Sequence, residues 1–245
     1  MAMRERVDSP LRPPAPEAAE PAEPPASAAG RLSLRPLTGW EEEYVERRQG
    51  EPNTARLCNE ILARCLVEPG EDTTAARAKV RDLLVAERDR ELVALRRLSL
   101  GPDVRATVSC LACGESSEVE FSVDVLPLEF ESQPPQLRLE LPGVGEAVLR
   151  LPTAGDQEDL LDAGLEGEAE RRSWLLARCL ERYGDRSEGI DLGFVRGLPV
   201  RTRAALEAAI EERLPELDLE MAVECASCGA PIAAPFDVAT FFFSS

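Results

Sequence analysis

The 245-residue sequence contains no histidine. That absence removes the Ser-His-Asp and Cys-His catalytic sets, every His-containing zinc site and the commonest general base, so the chain is expected not to be an enzyme. Aromatic residues are scarce, at 4%. A core therefore has to be built mainly from Leu, Val and Ala, for which a hydrophobic fraction of 44% suffices. Positive charge is in deficit, since 28 Lys and Arg face 46 Asp and Glu for a net charge of −18. Proteins that track phosphates present basic stripes, so nucleic acid is not the expected partner and basic protein surfaces are. No stretch approaches the roughly 20 apolar residues of a membrane span. Met1 to Val7 leads into prolines instead of the apolar run of a signal peptide. We expect a cytoplasmic, reducing location.

What the sequence does have is a pair of near-identical cysteine turns. Val108-Ser-Cys110-Leu-Ala-Cys113-Gly114 is matched by Val223-Glu-Cys225-Ala-Ser-Cys228-Gly229. Zinc takes four soft ligands at tetrahedral corners, about 2.3 Å from each sulfur. A two-residue spacer lets one tight turn offer two thiolates to one ion, and the glycine after it suits the positive φ of such a turn. Cys110, Cys113, Cys225 and Cys228 thus form a complete set for a structural zinc. The same residues fit a redox C-x-x-C, two separate disulfides, or pairs that no longer bind metal. A redox motif belongs at a helix N-terminus in a βαβ setting, whereas these lie between strand patterns, and disulfides suit an oxidising compartment. Cys113 and Cys225 stand 112 positions apart, so a ribbon closed by all four carries a large insertion.

The remaining pattern divides the chain into five parts. Residues 1–30 mix seven prolines with Ala and Glu and read as a disordered tail. Residues 31–101 read as a helical region. Thr38 caps a helix with Glu41 to Glu43 in its first turn, and Trp40 and Tyr44 share one face, as core or as a docking surface. Asn53 caps a second helix striped by Leu57, Cys58, Ile61, Leu62, Cys65 and Leu66, in which the two cysteines are core residues. Asp72 to Leu100 is helical with a break before Asp89, and the charged run Glu87 to Glu91 is a solvated face.

Residues 102–152 alternate with period two and form the first half of a zinc-ribbon β region. One hairpin carries the first knuckle at its tip, with Val119, Phe121, Val123 and Val125 leading out; a second follows over Leu137 to Leu151. Residues 153–215 form a helical insertion. Its helices start at Thr153, carry Trp174, Leu175, Cys179 and Leu180, and run from Pro199 to Pro215, with a glycine-bearing loop from Tyr183 to Pro199. That loop lacks a phosphate-binding pattern. Residues 216–245 supply the second half of the ribbon and end in Phe241, Phe242 and Phe243, which either seal its core or meet a partner. The fold class is α+β: antiparallel β-hairpins form a four-cysteine zinc ribbon interrupted by a helical insertion, beside an N-terminal helical region.

The order of several short stretches resembles a known family. These are Leu37-Thr-Gly-Trp-Glu-Glu-Glu, Asp89-Arg90 before Leu92-Val-Ala-Leu95-Arg96, Leu98-Ser-Leu-Gly101, the first knuckle, Leu151-Pro-Thr-Ala-Gly-Asp156, the second knuckle, and Phe236-Asp-Val-Ala-Thr-Phe-Phe242. Over residues 32–243 they resemble the baseplate hub assembly proteins of contractile phage tails and phage-derived contractile injection systems. The resemblance implies a cytoplasmic assembly chaperone that binds hub, spike or tail-tube proteins and need not remain in the finished particle. It also implies structural zinc at the four cysteines and no catalytic residues. A zinc-ribbon regulator acting on nucleic acid or the transcription machinery is the alternative, opposed by the net charge and by Glu115, Glu118 and Glu120 beside the first knuckle.

Overall fold

The structure, a computed structural model, describes residues 32–48, 50–126, 128–129, 133–134, 136–214 and 220–235. The Pro-rich segment 1–30, Leu217, Leu219 and Phe241, Phe242 and Phe243 lie outside these residues. Within them the fold is α+β, with eight α-helices and three antiparallel sheets.

The chain enters through α1 (Gly39–Glu46), whose start is organised by a buried carboxylate. Glu41 accepts the N–H and the hydroxyl of Thr38 (3.0 and 2.8 Å) and both terminal nitrogens of Arg35 (3.0 Å each). In α2 (Thr54–Cys65) the Asn53 side chain accepts the N–H of Arg56 at 2.9 Å, as its capping role requires. The predicted stripe of α2 packs with Val80 of α3 (Thr74–Arg81) and with Leu92 and Leu95 of α4 (Val85–Leu100). Cys58 and Cys65 are buried in this first core, as expected.

Two expectations about the α3–α4 stretch need correction. The helix breaks at Asp82–Leu84, not before Asp89. The Leu83 carbonyl accepts the Ala154 N–H at 2.8 Å and Leu84 bridges Thr153, so a distant segment holds this pair out of the helix. Nor is the run Glu87 to Glu91 a solvated face, because Arg88 is 3% and Glu91 1% exposed. Arg88 donates to Asn59 (3.3 Å) and Gln157 (2.7 Å), and Glu91 accepts the Leu32 N–H at 3.3 Å.

β1 (Asp103–Ser109) and β2 (Ser116–Ser122) form the first hairpin, in register from Asp103↔Ser122 to Ser109↔Ser116. Val104 at its base is anchored in the first core. The strand does not continue to Val125. The Ser122 hydroxyl accepts the Asp124 N–H at 3.2 Å and turns Val123–Val125 into a single 3-10 turn.

β3 (Leu137–Leu141) and β4 (Gly145–Leu149) form the second hairpin, and β5 (Leu180–Tyr183) joins it in the order β3-β4-β5. The segment read as a helical insertion therefore contains a strand, and the second hairpin pairs with it, not with a cysteine-bearing hairpin. Leu180 is the first residue of β5, not part of the preceding helical stripe. α6 (Glu168–Cys179), α7 (Leu192–Gly197) and α8 (Val200–Glu211) enclose a second core with this sheet, built on Leu149, Leu176, Cys179, Val195 and Leu206. Here too the cysteine is a core residue.

α5 (Ala154–Asp162) lies between the two cores and meets both through charge. Toward α2 and α3, Glu158 accepts Asn59 (2.9 Å) and Arg77 (2.6 Å) and pairs with Arg81 (2.7 Å). Toward the sheet and α6, Asp156 accepts Arg150 (2.5 and 2.9 Å) and Arg178 (3.1 Å). Gly155 makes the close approach possible, since a Cβ there would lie 3.0 Å from the Arg81 carbonyl oxygen. The last hairpin, β6 (Glu220–Glu224) and β7 (Pro231–Pro235), carries the second cysteine turn.

Candidate metal centre

Each C-x-x-C-G turn closes a β-hairpin in the same way. In the first, the Cys110 N–H donates to Glu115 O and the Gly114 N–H to Cys110 O, both at 2.8 Å. In the second, the Cys225 N–H donates to Ala230 O and the Gly229 N–H to Cys225 O, both at 2.9 Å. Gly114 and Gly229 have φ of +76° and +69°, the left-handed region that a side chain disfavours. The repeated sequence therefore produces a repeated backbone, with two sulfurs presented from each tip.

The two tips face each other. The sulfurs of Cys110, Cys113, Cys225 and Cys228 all lie within 4.8 Å of one another. Across the knuckles, Cys110 Sγ is 3.7 Å from Cys228 Sγ and Cys113 Sγ is 3.6 Å from Cys225 Sγ. Four sulfurs about 2.3 Å from a central ion would be separated by about 3.8 Å. A disulfide would bring two of them to about 2.05 Å. The cluster has the dimensions of a tetrathiolate metal site, and its residues are those picked out by spacing alone. Each C-x-x-C lies in a hairpin turn, not at a helix N-terminus.

Cys110 and Cys225 are buried against Val108, Ala230 and Ile232, while Cys113 and Cys228 are exposed. The electrostatics of the four thiols are uneven. The backbone N–H groups of Cys228 and Ser227 aim at the Cys225 sulfur and bring its thiol down to about 6. Cys113 also gains from the Glu115 N–H, but the neighbouring thiols Cys228, Cys225 and Cys110, with partial desolvation, drive it up to about 12. Negative charge is favoured at Cys225 and resisted at Cys113 and Cys228, and the resistance is what a bound divalent cation would reverse. The backbone donors of Glu115, Ser227, Cys228 and Ala230 carry no residue-type signature, so the sequence points to them only through the repeated turn.

Two of the other expected contact residues separate. Trp40 is 60% exposed on α1, whereas Tyr44 is buried, with the guanidinium carbons of Arg48 and Arg64 at 3.9 and 4.0 Å from its ring centre. Tyr44 is thus part of the first core and not of a docking face. Phe241, Phe242 and Phe243 fall outside the described residues.

The comparison with known families bears on the whole chain. A family model described as T4 bacteriophage base plate protein matches residues 26–243. The chain belongs to this family. No curated protein and no solved structure matches it. In this baseplate protein the match runs through both cysteine knuckles and both cores, so the thiol cluster lies inside the family's own span. Among the described residues of the baseplate protein, no helix is long and apolar enough to cross a membrane.

Proposed function

We propose that the chain is a non-enzymatic assembly factor for the baseplate hub of a contractile tail or contractile injection system, acting in the cytoplasm on hub, spike or tail-tube proteins. The observation that carries this reading is the family match over residues 26–243. The lack of histidine and the acidic surface agree with it: the net charge of −18 suits transient cover of basic assembly faces and disfavours a phosphate-tracking role. Trp40, exposed among Glu42 and Glu43, is the residue of α1 that such a partner would touch.

Zinc is the ion we assign to the four-cysteine cluster, because four thiolates are its commonest structural ligand set and leave no open position for substrate. Its role would be to tie the first and last hairpins together, and so to fix both ends of the long intervening segment. Cys110 and Cys225 would hold it from the buried side, and Cys113 and Cys228 from the solvent side.

The test is affinity purification of the tagged chain from cells producing the particle, with mass spectrometry of what binds. Stoichiometric recovery of hub, spike or tube proteins supports the proposal. Recovery of polymerase subunits or nucleic acid without any tail protein would overturn it.

A further inference from the structure

We propose that the four-thiol cluster is also an oxidation site, which a two-electron oxidant of the peroxide class converts into two disulfides that cross between the knuckles, Cys110 to Cys228 and Cys113 to Cys225. The inference deepens the metal-site reading and depends on it only for the release of a bound ion.

Three observations carry it. The first is access: Cys113 and Cys228 are exposed, one on each knuckle, so a small peroxide reaches a sulfur on either side of the cluster. The second is pairing. Each exposed sulfur already faces a buried sulfur of the other knuckle, Cys113 with Cys225 at 3.6 Å and Cys228 with Cys110 at 3.7 Å. Closing such a pair to the roughly 2.05 Å of a disulfide needs a shift smaller than 2 Å, shared between two hairpin tips. The third is selectivity. Cys58, Cys65 and Cys179 are buried in the two apolar cores, at 0%, 1% and 0% exposure, so a peroxide in solution does not reach their sulfurs.

The chemistry balances with the peroxide as sole oxidant. The Cys113 sulfur attacks one peroxide oxygen as its proton or the bound ion leaves it, the O–O bond breaks, and the departing oxide takes a proton to become water or an alcohol. The Cys113 sulfenic acid is then attacked at sulfur by the Cys225 thiolate, which expels hydroxide, protonated to water. The Cys228 and Cys110 pair reacts likewise, so two peroxides are reduced for two disulfides formed, and the sulfurs no longer carry the charge that holds a cation.

The product has a specific consequence. The crossed bonds join positions 112 and 118 apart in the chain, so the two hairpins stay tied after the ion leaves. Disulfides within each C-x-x-C would leave the hairpins free to part. Oxidation would therefore exchange one closure of the ribbon for another.

The experiment uses the full chain. Metal content is measured first, then the protein is treated with hydrogen peroxide, alkylated in denaturant and digested with trypsin without reduction. Cleavage at Arg105, Arg138 and Arg213 places Cys110 and Cys113 in one peptide (106–138) and Cys225 and Cys228 in another (214–245). The proposal predicts that these two peptides run as one linked species, four hydrogens lighter than their sum, with Cys58, Cys65 and Cys179 alkylated. In the double variant Cys110→Ser, Cys228→Ser a single link, Cys113 to Cys225, should remain. Two separate peptides, each lighter by two hydrogens, would overturn the proposal, and so would sulfinic acids without a disulfide. A chain that binds no metal yet gives the linked species would remove the metal reading and keep this one.

Discussion

Asn59 and Glu158 meet at 2.9 Å in the seam between α2 and α5, ninety-nine positions apart in the chain. Around them Arg77 and Arg81 complete a charge cluster on a carboxylate that is 2% exposed. This seam is where the N-terminal helices and the inserted segment become one body. Burying a carboxylate is costly unless it is fully paired, and removing one partner of such a set leaves the others uncompensated.

Glu158→Ala should therefore destabilise the fold by about 3 kcal/mol, the arginines being partly solvated and able to recover some hydration. Glu158→Gln should cost less, because the bond from Asn59 can survive. Urea unfolding followed by circular dichroism measures both. Equal midpoints for the alanine variant and the parent would show that the seam carries no stability.

The buried, paired carboxylates set an acid limit. Burial alone would raise Asp156, but the Arg150 guanidinium, the Thr153 N–H and Arg178 outweigh it and hold the carboxyl at about 2. Glu158 and Glu41 are also lowered, burial again being outweighed by their Asn, Thr and Arg partners. A lowered folded-state value means stability that is complete above the unfolded carboxylate range and lost as pH falls through the folded value. For Asp156 alone the loss is about 2 kcal/mol between roughly pH 4 and pH 2. Unfolding midpoints should be flat from neutral pH to about 5 as far as these groups are concerned, then fall. Asp156→Asn should flatten that fall.

Gly155 offers a steric check on the approach of α5 to α3. A Cβ at this position would meet the Arg81 carbonyl oxygen at 3.0 Å and its Cβ at 3.2 Å. Gly155→Val should cost about 1–3 kcal/mol through overpacking, despite the better helix propensity of a residue with a side chain. Thermal denaturation measures it; an unchanged midpoint would mean that the helices separate freely.

Much of this arrangement was readable from local pattern. The two knuckles, the α2 stripe, the helix starts at Thr38, Asn53 and Thr153 and the first two hairpins all depend on neighbours in sequence, where residue type and spacing act directly. The missed features depend on distant partners. β5 (Leu180–Tyr183) follows α6 (Glu168–Cys179) directly, with no proline or glycine from Glu168 to Tyr183, so Leu180-Glu-Arg-Tyr183 reads as more helix until β4 is there to pair with it. α7 is too short to show a period. The break at Asp82–Leu84 exists because residues of the Thr153 turn bond to it. Arg88 and Glu91 resemble a solvated face because sequence cannot show that Asn59, Gln157 and the Leu32 N–H wait for them.

The thiol cluster predicts a metal dependence. Replacing any one of Cys110, Cys113, Cys225 or Cys228 by Ser should lower metal content below one ion per chain and destabilise the ribbon by several kcal/mol, on the order of what closing a loop of this length contributes. Cys58→Ser should leave metal content unchanged. Full occupancy in all four single variants would show that the cluster is not the binding site.

Trp40 predicts a separation of stability from binding. Exposed as it is, Trp40→Ala should move the unfolding midpoint by less than about 0.5 kcal/mol, while weakening capture of hub, spike or tube proteins at least tenfold. Calorimetry and a titrated pull-down measure the two. Undiminished capture would place the docking face elsewhere.

The most direct test of the account is deletion of the gene in cells that build the particle, with electron microscopy of what they make. The account predicts that complete baseplates disappear, that sheath and tube proteins accumulate without an assembled hub, and that the wild-type gene supplied in trans restores them. Particles with intact baseplates and a normal complement of hub proteins in the deletion strain would contradict it.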